Sequence, residues 1–265
     1  MRASIEPEAG RGHALGKADL QVHTAHGDGM AGGEPMLAYI ETKTDLDIVV
    51  ITDHDDIGGA WKTRELWERG TYSFEVIVGI EVTTRAGHLL AIDVDRPIPS
   101  FRRPEETIRL IHEAGGLAVI PHPMSWLTRS IGQRTISRIT SDPDPAVAFD
   151  GIEVMNQTIA ARVTRAKAQR LNRDRWRLAE TGGSDAHFLQ AIGTAYTTFP
   201  GHTMAELRVA LRDHTTGFGW SAFPSLRRLG VRQIARQQAR GLMVTPRNVV
   251  FRPIGRTILR RRASA

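Results

Sequence analysis

Two histidines, two aspartates and a glutamine crowd into the eleven residues Asp19-Leu20-Gln21-Val22-His23-Thr24-Ala25-His26-Gly27-Asp28-Gly29. Leu20 and Val22 alternate with polar positions, which predicts a strand running into a glycine-rich turn. Strand alternation would put Asp19, Gln21 and His23 on one face and Leu20 and Val22 on the other. A polar face of that kind is costly to bury unless something satisfies it, and a metal ion does so. Taken alone, the stretch reads equally as a His-rich surface turn.

Similar polar groups recur further along. The candidate ligands are Gln21, His23, Asp28, His54, Glu81, His88, His122, Asp185 and His187. All but one fall at or just past the end of a strand-like run; His88 opens one. Nine oxygen and nitrogen donors are too many for one ion and suit two or three, bridged by a carboxylate with water between. Imidazole with carboxylate suits Zn, Mn or Fe. The chain has no Cys, which excludes thiolate sites, disulfides and a Cys nucleophile. Each position also has an ordinary reading: a helix cap at His54, a rim carboxylate at Glu81, a surface strand start at His88, a proline turn at His122, an N-cap pair at Asp185 and His187. His13, His112, His202 and His214 are assigned no role.

The elements that must position these groups are legible in the pattern. Buried strands are predicted at Leu46–Thr52, Glu75–Thr83, His88–Ile92, Leu117–Ile120, Asp150–Met155 and Ala195–Phe199. Helices are predicted at Glu34–Thr44, Ile57–Gly70, Pro104–Gly115, Thr158–Thr181 and Thr203–Asp213, with a loop or short helix over 124–148. Thr203 and Glu206 are spaced as a capping box. Strands alternate with helices and polar clusters sit at strand ends, which is the sequence image of an α/β barrel with its chemistry at one rim. The expected division is a flexible lead-in at 1–17, a barrel at 18–220 and an Arg-rich tail at 221–265.

With 265 residues, 41% of them apolar, the chain can bury a full core. No apolar run approaches a membrane span, and the first residues are polar, so a cytoplasmic protein is the expectation. The net charge of +6 is unevenly placed. Residues 221–265 hold eleven Arg and no acid, whereas the other 220 residues carry 24 basic and 29 acidic side chains, net −5. An acidic body fits a cation site; a basic tail suits an anionic partner. Arg228, Arg232, Arg236 and Arg240 recur at i+4, as on one helix face. Nucleic acid and an anionic membrane surface are both candidate partners, the latter because Ile254, Ile258 and Leu259 lie among Arg256 and Arg260 to Arg262. A solvated extension, or a tail folded back on the acidic body, is the alternative.

Taken together, Asp19-Leu20-Gln21-Val22-His23-Thr24 with Asp28-Gly29, Thr52-Asp53-His54-Asp55, Gly79-Ile80-Glu81, His88-Leu89-Leu90, Pro121-His122-Pro123 and Gly183-Ser184-Asp185-Ala186-His187 resemble the PHP (polymerase and histidinol phosphatase) family, in that family's order and over residues 17–215. The resemblance implies a distorted (β/α)7 barrel and a metal-dependent phosphoesterase using two or three divalent ions (Mn, Zn or Fe, with Mg admissible). One ion would use Gln21, His23, Glu81 and Asp185. A second would share Glu81 with His88 and His122. A third would use Asp28, His54 and His187, with Asp53 orienting a ligand. The first motif of the family usually reads His-x-His, and Gln21 stands at its first His. An amide oxygen is a neutral and weaker ligand, so the ion there should be the most exchangeable, or prefer Mn or Mg. His26 is a remote substitute.

In that reading a hydroxide bridging two ions attacks phosphorus in line, with no covalent intermediate. Asp53, Asp185 and His187 are the catalytic candidates. Arg129 and Arg134, in the loop after His122, or Arg162 and Arg165, after Asn156, would hold the phosphate, and Asn156 is a substrate-contact candidate. The expected substrate is a small phosphate monoester, a nucleotide or an oligonucleotide end. The alternatives are a histidinol-phosphate-type phosphatase, or a binding or regulatory protein with a degraded metal site and a working Arg tail.

Overall fold

The structure, a computed structural model, describes residues 15–246 and 248. Of the lead-in expected over 1–17, residues 1–14 lie outside the described residues, as does the apolar-basic stretch 254–262, while Gly16 and Lys17 already belong to the first strand. Strand β1 (Gly16–Val22) begins the fold, followed by α1 (Gly33–Lys43), β2 (Ile48–Ile51), α2 (Gly58–Glu68), β3 (Glu75–Thr83), β4 (His88–Ile92), α3 (Pro104–Glu113) and β5 (Leu117–Ile120). Then come α4 (Gln133–Thr140), β6 (Gly151–Met155), α5 (Ile159–Arg162), α6 (Arg165–Leu171), β7 (Glu180–Gly182), β8 (Ala195–Phe199), α7 (Met204–Arg212), β9 (Gly217–Trp220), α8 (Leu226–Leu229) and α9 (Val231–Pro246).

The strands form one sheet in the order β7-β6-β5-β4-β3-β2-β1-β8-β9. β1, β2 and β3 are parallel, as are β5, β6 and β7; β4 runs against both β3 and β5, and β8 against β1 and β9. The sheet curls until β7 meets β8, where the Thr197 hydroxyl bonds both the N–H and the carbonyl of Gly182. A side chain at Gly182 would collide with the Tyr196 carbonyl oxygen at 2.5 Å, so glycine is what lets the two backbones approach. The result is the expected distorted α/β barrel, nearly closed.

Its interior is one apolar cluster drawn from Ala18, Leu20, Ile48, Val50, Ile77, Leu90, Val119 and Phe199, with Met204, Leu207 and Leu211 of α7 plugging the end away from the polar rim. Val49 and Ile51 face outward instead and pack with Met36, Leu37 and Ile40 of α1. That two-sided burial is why the β2 run reads as unbroken Ile and Val.

Four expectations change. The alternation through β1 breaks, because its register shifts between Asp19 and Val22. Ala18 and Leu20 face the interior while Val22 packs outward with α1. The long helix expected over 158–181 does not form. It breaks at Val163–Thr164, where the Thr164 hydroxyl donates to the Pro123 carbonyl, and its second half passes into a π-helical turn over Asn172–Trp176 that ends at left-handed Arg177, with the Asn172 side chain bonding the Leu178 N–H and carbonyl. Thr181 and Gly182 pair with β6 as a strand. Strand β9 was unforeseen; it adds to β8 as a hairpin partner. The four-Arg stripe is also interrupted: Arg228 lies in α8, and Gly230, at φ 81°, turns the chain before α9 begins.

His112, assigned nothing by its sequence, joins α3 to the start of β6: its Nε2 lies 2.9 Å from Asp150 Oδ2. That hydrogen bond outweighs partial burial and raises the imidazole above its usual range. A raised folded value means that the stabilisation is complete below the unfolded pKa, about 6.5, and is lost as pH rises through the folded one. The stability gap between the parent and His112→Gln is therefore expected to be about 0.5–1 kcal/mol at pH 5.5 and to narrow at pH 8.5. Urea denaturation at the two pH values checks this; a gap that widens at high pH contradicts it.

Candidate metal centre

β1, β2, β3, β5, β6 and β7 all deliver their C-terminal ends to one rim. β4 runs the other way, so its first residue, His88, arrives at the same place as the last residues of the others. That is why the one candidate opening a strand belongs with those closing strands. Glu81 sits at the centre, fully buried. Its Oε1 lies 2.7 Å from His88 Nδ1 and 3.0 Å from His122 Nε2. Its Oε2 lies 3.0 Å from Gln21 Nε2, 3.2 Å from His23 Nε2 and 3.5 Å from His54 Nδ1. Asp185 Oδ1 is 3.3 Å from His23 Nε2, and His187 Nε2 is 3.1 Å from Asp28 Oδ2. All nine candidate ligands therefore converge.

Three donor sets each close within 4.8 Å: His23, Asp28, His54 and His187; His54, Glu81 and His88; and His23, Glu81 and Asp185. They overlap more than the sequence reading held, with His23 shared between the outer and inner sets and His54 between the outer set and the Glu81–His88 pair. Gln21 and His122 reach the centre through Glu81.

Two observations test whether cations fit. Gln21 Oε1, both ring nitrogens of His23 and of His88, Asp28 Oδ1 and His54 Nδ1 are buried with no hydrogen-bond partner among the described residues. They lie close to one another and to the Glu81 carboxylate without meeting hydrogen-bond geometry. Leaving so many polar atoms orphaned is costly unless a cation takes them up. Second, outlying groups occupy the far nitrogens of two imidazoles. His187 Nδ1 donates to the Asp185 carbonyl and His122 Nδ1 meets Ser130 Oγ, each leaving Nε2 for the centre. The residues fit divalent cations.

The electrostatics agree. Burial alone would depress the His23 imidazole, but Asp185 and Glu81 raise it well above its usual range. His122 is pushed to about 9 by Glu81 against the same burial, and burial takes His54 down to about 4. Burial opposes ionisation of Glu81, Asp28 and Asp185, yet the surrounding imidazoles hold all three below the usual carboxylate range. His122 and Asp185 also sit at positive φ, 29° and 53°, backbone strain of the kind that persists where a site over-determines it.

Asp53 does not touch the centre. Its carboxylate takes the Thr24 N–H and hydroxyl, at 2.7 and 2.6 Å, and so fixes the chain after His23. Asp19, whose carboxylate accepts the Ser184 and Gly193 N–H groups, does the same for the Asp185 loop. Glu153 was missed. Burial lifts it to about 8, and it accepts the His122 N–H at 2.6 Å. The available signal was an acid inside the apolar run Gly151–Met155. His26 turns to Asp56, 3.4 Å away, and joins none of the ligand sets.

A cavity of about 750 Å³ opens onto the centre and is lined in part by Asp28, His54, Glu81, His122, Asp185, His187 and Arg129. Arg134, Arg162 and Asn156 are not among its lining residues. Arg134 is exposed, Arg162 donates to Gln157, and Asn156 is spent on Glu153 and the N–H of Thr158. The tail segment through α9 packs across the mouth. Arg240 donates to the Ala25 and Gly27 carbonyls, Gln237 lies buried 3.5 Å from Asp28 Oδ2, and Asn248 donates to the His54 carbonyl.

The family model described as PHP-associated matches residues 166–216. The uncharacterised protein MJ1587 of Methanocaldococcus jannaschii is 33% identical over 150 residues, which span 53% of this chain and 81% of that one. The chain belongs to the PHP family. Solved PHP-like structures share the fold at low identity. A two-domain Bacteroides vulgatus protein containing a predicted PHP-like metal-dependent phosphoesterase superposes at a TM-score of 0.59 and 20% identity, over 83% of this chain and 69% of that one. The lesion-specific endonuclease of Pyrococcus furiosus superposes at 0.50 and 17%, over 75% and 56%. The described residues of this PHP chain include no helix long and apolar enough to cross a membrane.

Proposed function

We propose that this chain is a phosphoesterase dependent on two or three divalent cations, which hydrolyses a phosphate ester at the rim centre. The observation that carries the reading is the convergence of buried, unbonded donors around Glu81. Two or three dications against the carboxylates of Asp28, Glu81 and Asp185 leave the loaded centre positive, which favours an anionic phosphate. When bound, the ions supply Lewis acidity and acidify water enough for it to attack near neutral pH.

The chain's own residues do the positioning. Asp185 and His187 stand at the edge that faces the cavity. Arg129 lies on the cavity wall, its guanidinium 5.9 Å from the Phe101 ring centre, and is the cation placed to pair the phosphate's outer oxygens. Asp53, Asp19 and Glu153 keep the ligand loops in register. α9 limits the access of bulk water.

Hydrolysis of an aryl phosphate with Mn tests this. Asp185→Ala and His54→Ala are each expected to lower kcat/KM by at least about 10²-fold with the fold intact by circular dichroism. Full activity in both variants would end the proposal. A regulatory protein with a decayed site is disfavoured, because Gln21 is still turned into the cluster with the other eight ligands.

A further inference from the structure

Beyond the metal ligands, the cavity wall is largely apolar. Phe101, Leu127 and Phe188 come from the barrel loops, Ile159 opens α5, and Leu226, Leu229 and Ile234 belong to the segment that crosses the mouth. Several are exposed although large: Leu127 is 47%, Leu226 60% and Ile159 68% accessible. A ring of exposed apolar side chains around a polar centre marks a surface that a ligand covers. Among the described lining residues Arg129 is the only Arg or Lys, and no carboxylate of the described residues lies within ion-pair distance of it. A nucleic-acid channel neutralises several phosphates, which one cation does not do. The mouth is also narrowed from above. The α9 backbone at Gly241 comes so near Asp28 that a Cβ there would lie 3.3 Å from Oδ2, and Arg240 of the helix and Asn248 just past it bond the loops that follow the neighbouring strands β1 and β2.

We infer that α8 and α9, with Phe101 and Ile159, wall a subsite for the organic part of the substrate, and that this substrate is a small phosphate monoester of an apolar, aryl or alkyl, alcohol. The inference rests on the phosphoesterase reading for the ester but not for the pocket. The dianionic phosphate meets the centre and Arg129, and the apolar group lies under the helix against Leu226, Leu229 and Ile234. The Arg-rich segment thereby acts within its own chain, as a selector of substrate.

Binding separates the two readings, because phosphonates carry the phosphate's charge without being hydrolysed. The full Mn-loaded chain is titrated calorimetrically with 1-naphthylmethylphosphonate and with methylphosphonate. The naphthyl compound is expected to bind at least tenfold tighter, with a negative heat-capacity change. Leu226→Asn, at an exposed position, and Ile234→Asn are expected to cut that preference severalfold. Equal affinity for the two compounds, an unchanged preference in both variants, or tighter binding of a 5′-phosphorylated oligonucleotide would overturn the inference. Preference without hydrolysis of any ester would overturn the phosphoesterase reading and leave the pocket standing. Hydrolysis of naphthyl and glycerol phosphates with equal kcat/KM would do the reverse.

Discussion

Glu81→Gln is expected to reduce bound metal to one ion per chain or none, and to lower kcat/KM on an aryl phosphate by about 10³-fold or more, which corresponds to about 4 kcal/mol of transition-state stabilisation. The size follows from its place. The two oxygens of one carboxylate lie within 3.5 Å of Gln21, His23, His54, His88 and His122. An amide keeps the shape, loses the charge and turns an N–H₂ toward groups that must accept a cation. Without metal the variant shows a second effect. His122, held near 9 chiefly by Glu81 against burial, loses its counter-charge and titrates lower. Elemental analysis of the purified protein, a kinetic assay and NMR titration of the imidazoles measure the three outcomes. Parent-level metal content in the variant would mean that Glu81 bridges nothing.

Stripping the metal with EDTA is expected to lower the melting temperature by about 10 °C or more. A ligand present at a thousand times its Kd stabilises the native state by about 4 kcal/mol. In a domain of 150–250 residues, each kcal/mol moves Tm by about 2–4 °C. The orphaned atoms of His23, His54, His88 and Asp28 are the source of that sensitivity. The ion beside Gln21 should leave first in a graded chelation, since a neutral amide oxygen binds more weakly than imidazole or carboxylate. The effect also depends on pH with a definite sign. His23, His122 and His187 are raised above the usual imidazole range in the metal-free protein, so loading must displace protons. Metal affinity falls as pH drops from 9 toward 6, and loading releases protons into weak buffer. A melting temperature indifferent to EDTA, or affinity that is flat with pH, contradicts this account.

The order of residues carried much of this in advance. Short apolar runs such as Ile48–Ile51 and Leu117–Ile120 read as strands buried on two sides, and helices with Pro at the start and Gly after the end announce their limits. Polar groups at strand ends gave nine ligand candidates because a cation satisfies buried imidazoles and carboxylates that lie together. Local pattern was weakest where distant contacts outbid it. The 158–181 stretch has helical composition throughout, yet Thr164 bonds Pro123 and Asn172 bonds Leu178, and β6 recruits Thr181 and Gly182 as an edge.

Which of the polar side chains serve the centre and which merely support it was decided by tertiary structure. Asp53 and Glu153 are as acidic in sequence as Glu81, but backbone N–H groups claim their oxygens while those of Glu81 face imidazoles. His88, a candidate although it opens its strand, reaches the centre because β4 runs antiparallel to β3 and β5. The Arg-rich segment reads as a charged stripe with several possible destinations, and in the structure Arg240 meets two rim carbonyls and Gly241 admits the α9 backbone beside Asp28. Composition and spacing reveal which chemistry a chain can hold, since they count donors and periodicity. Distances between residues far apart in sequence come only from packing, and ligand shells and cavity walls are made of such distances.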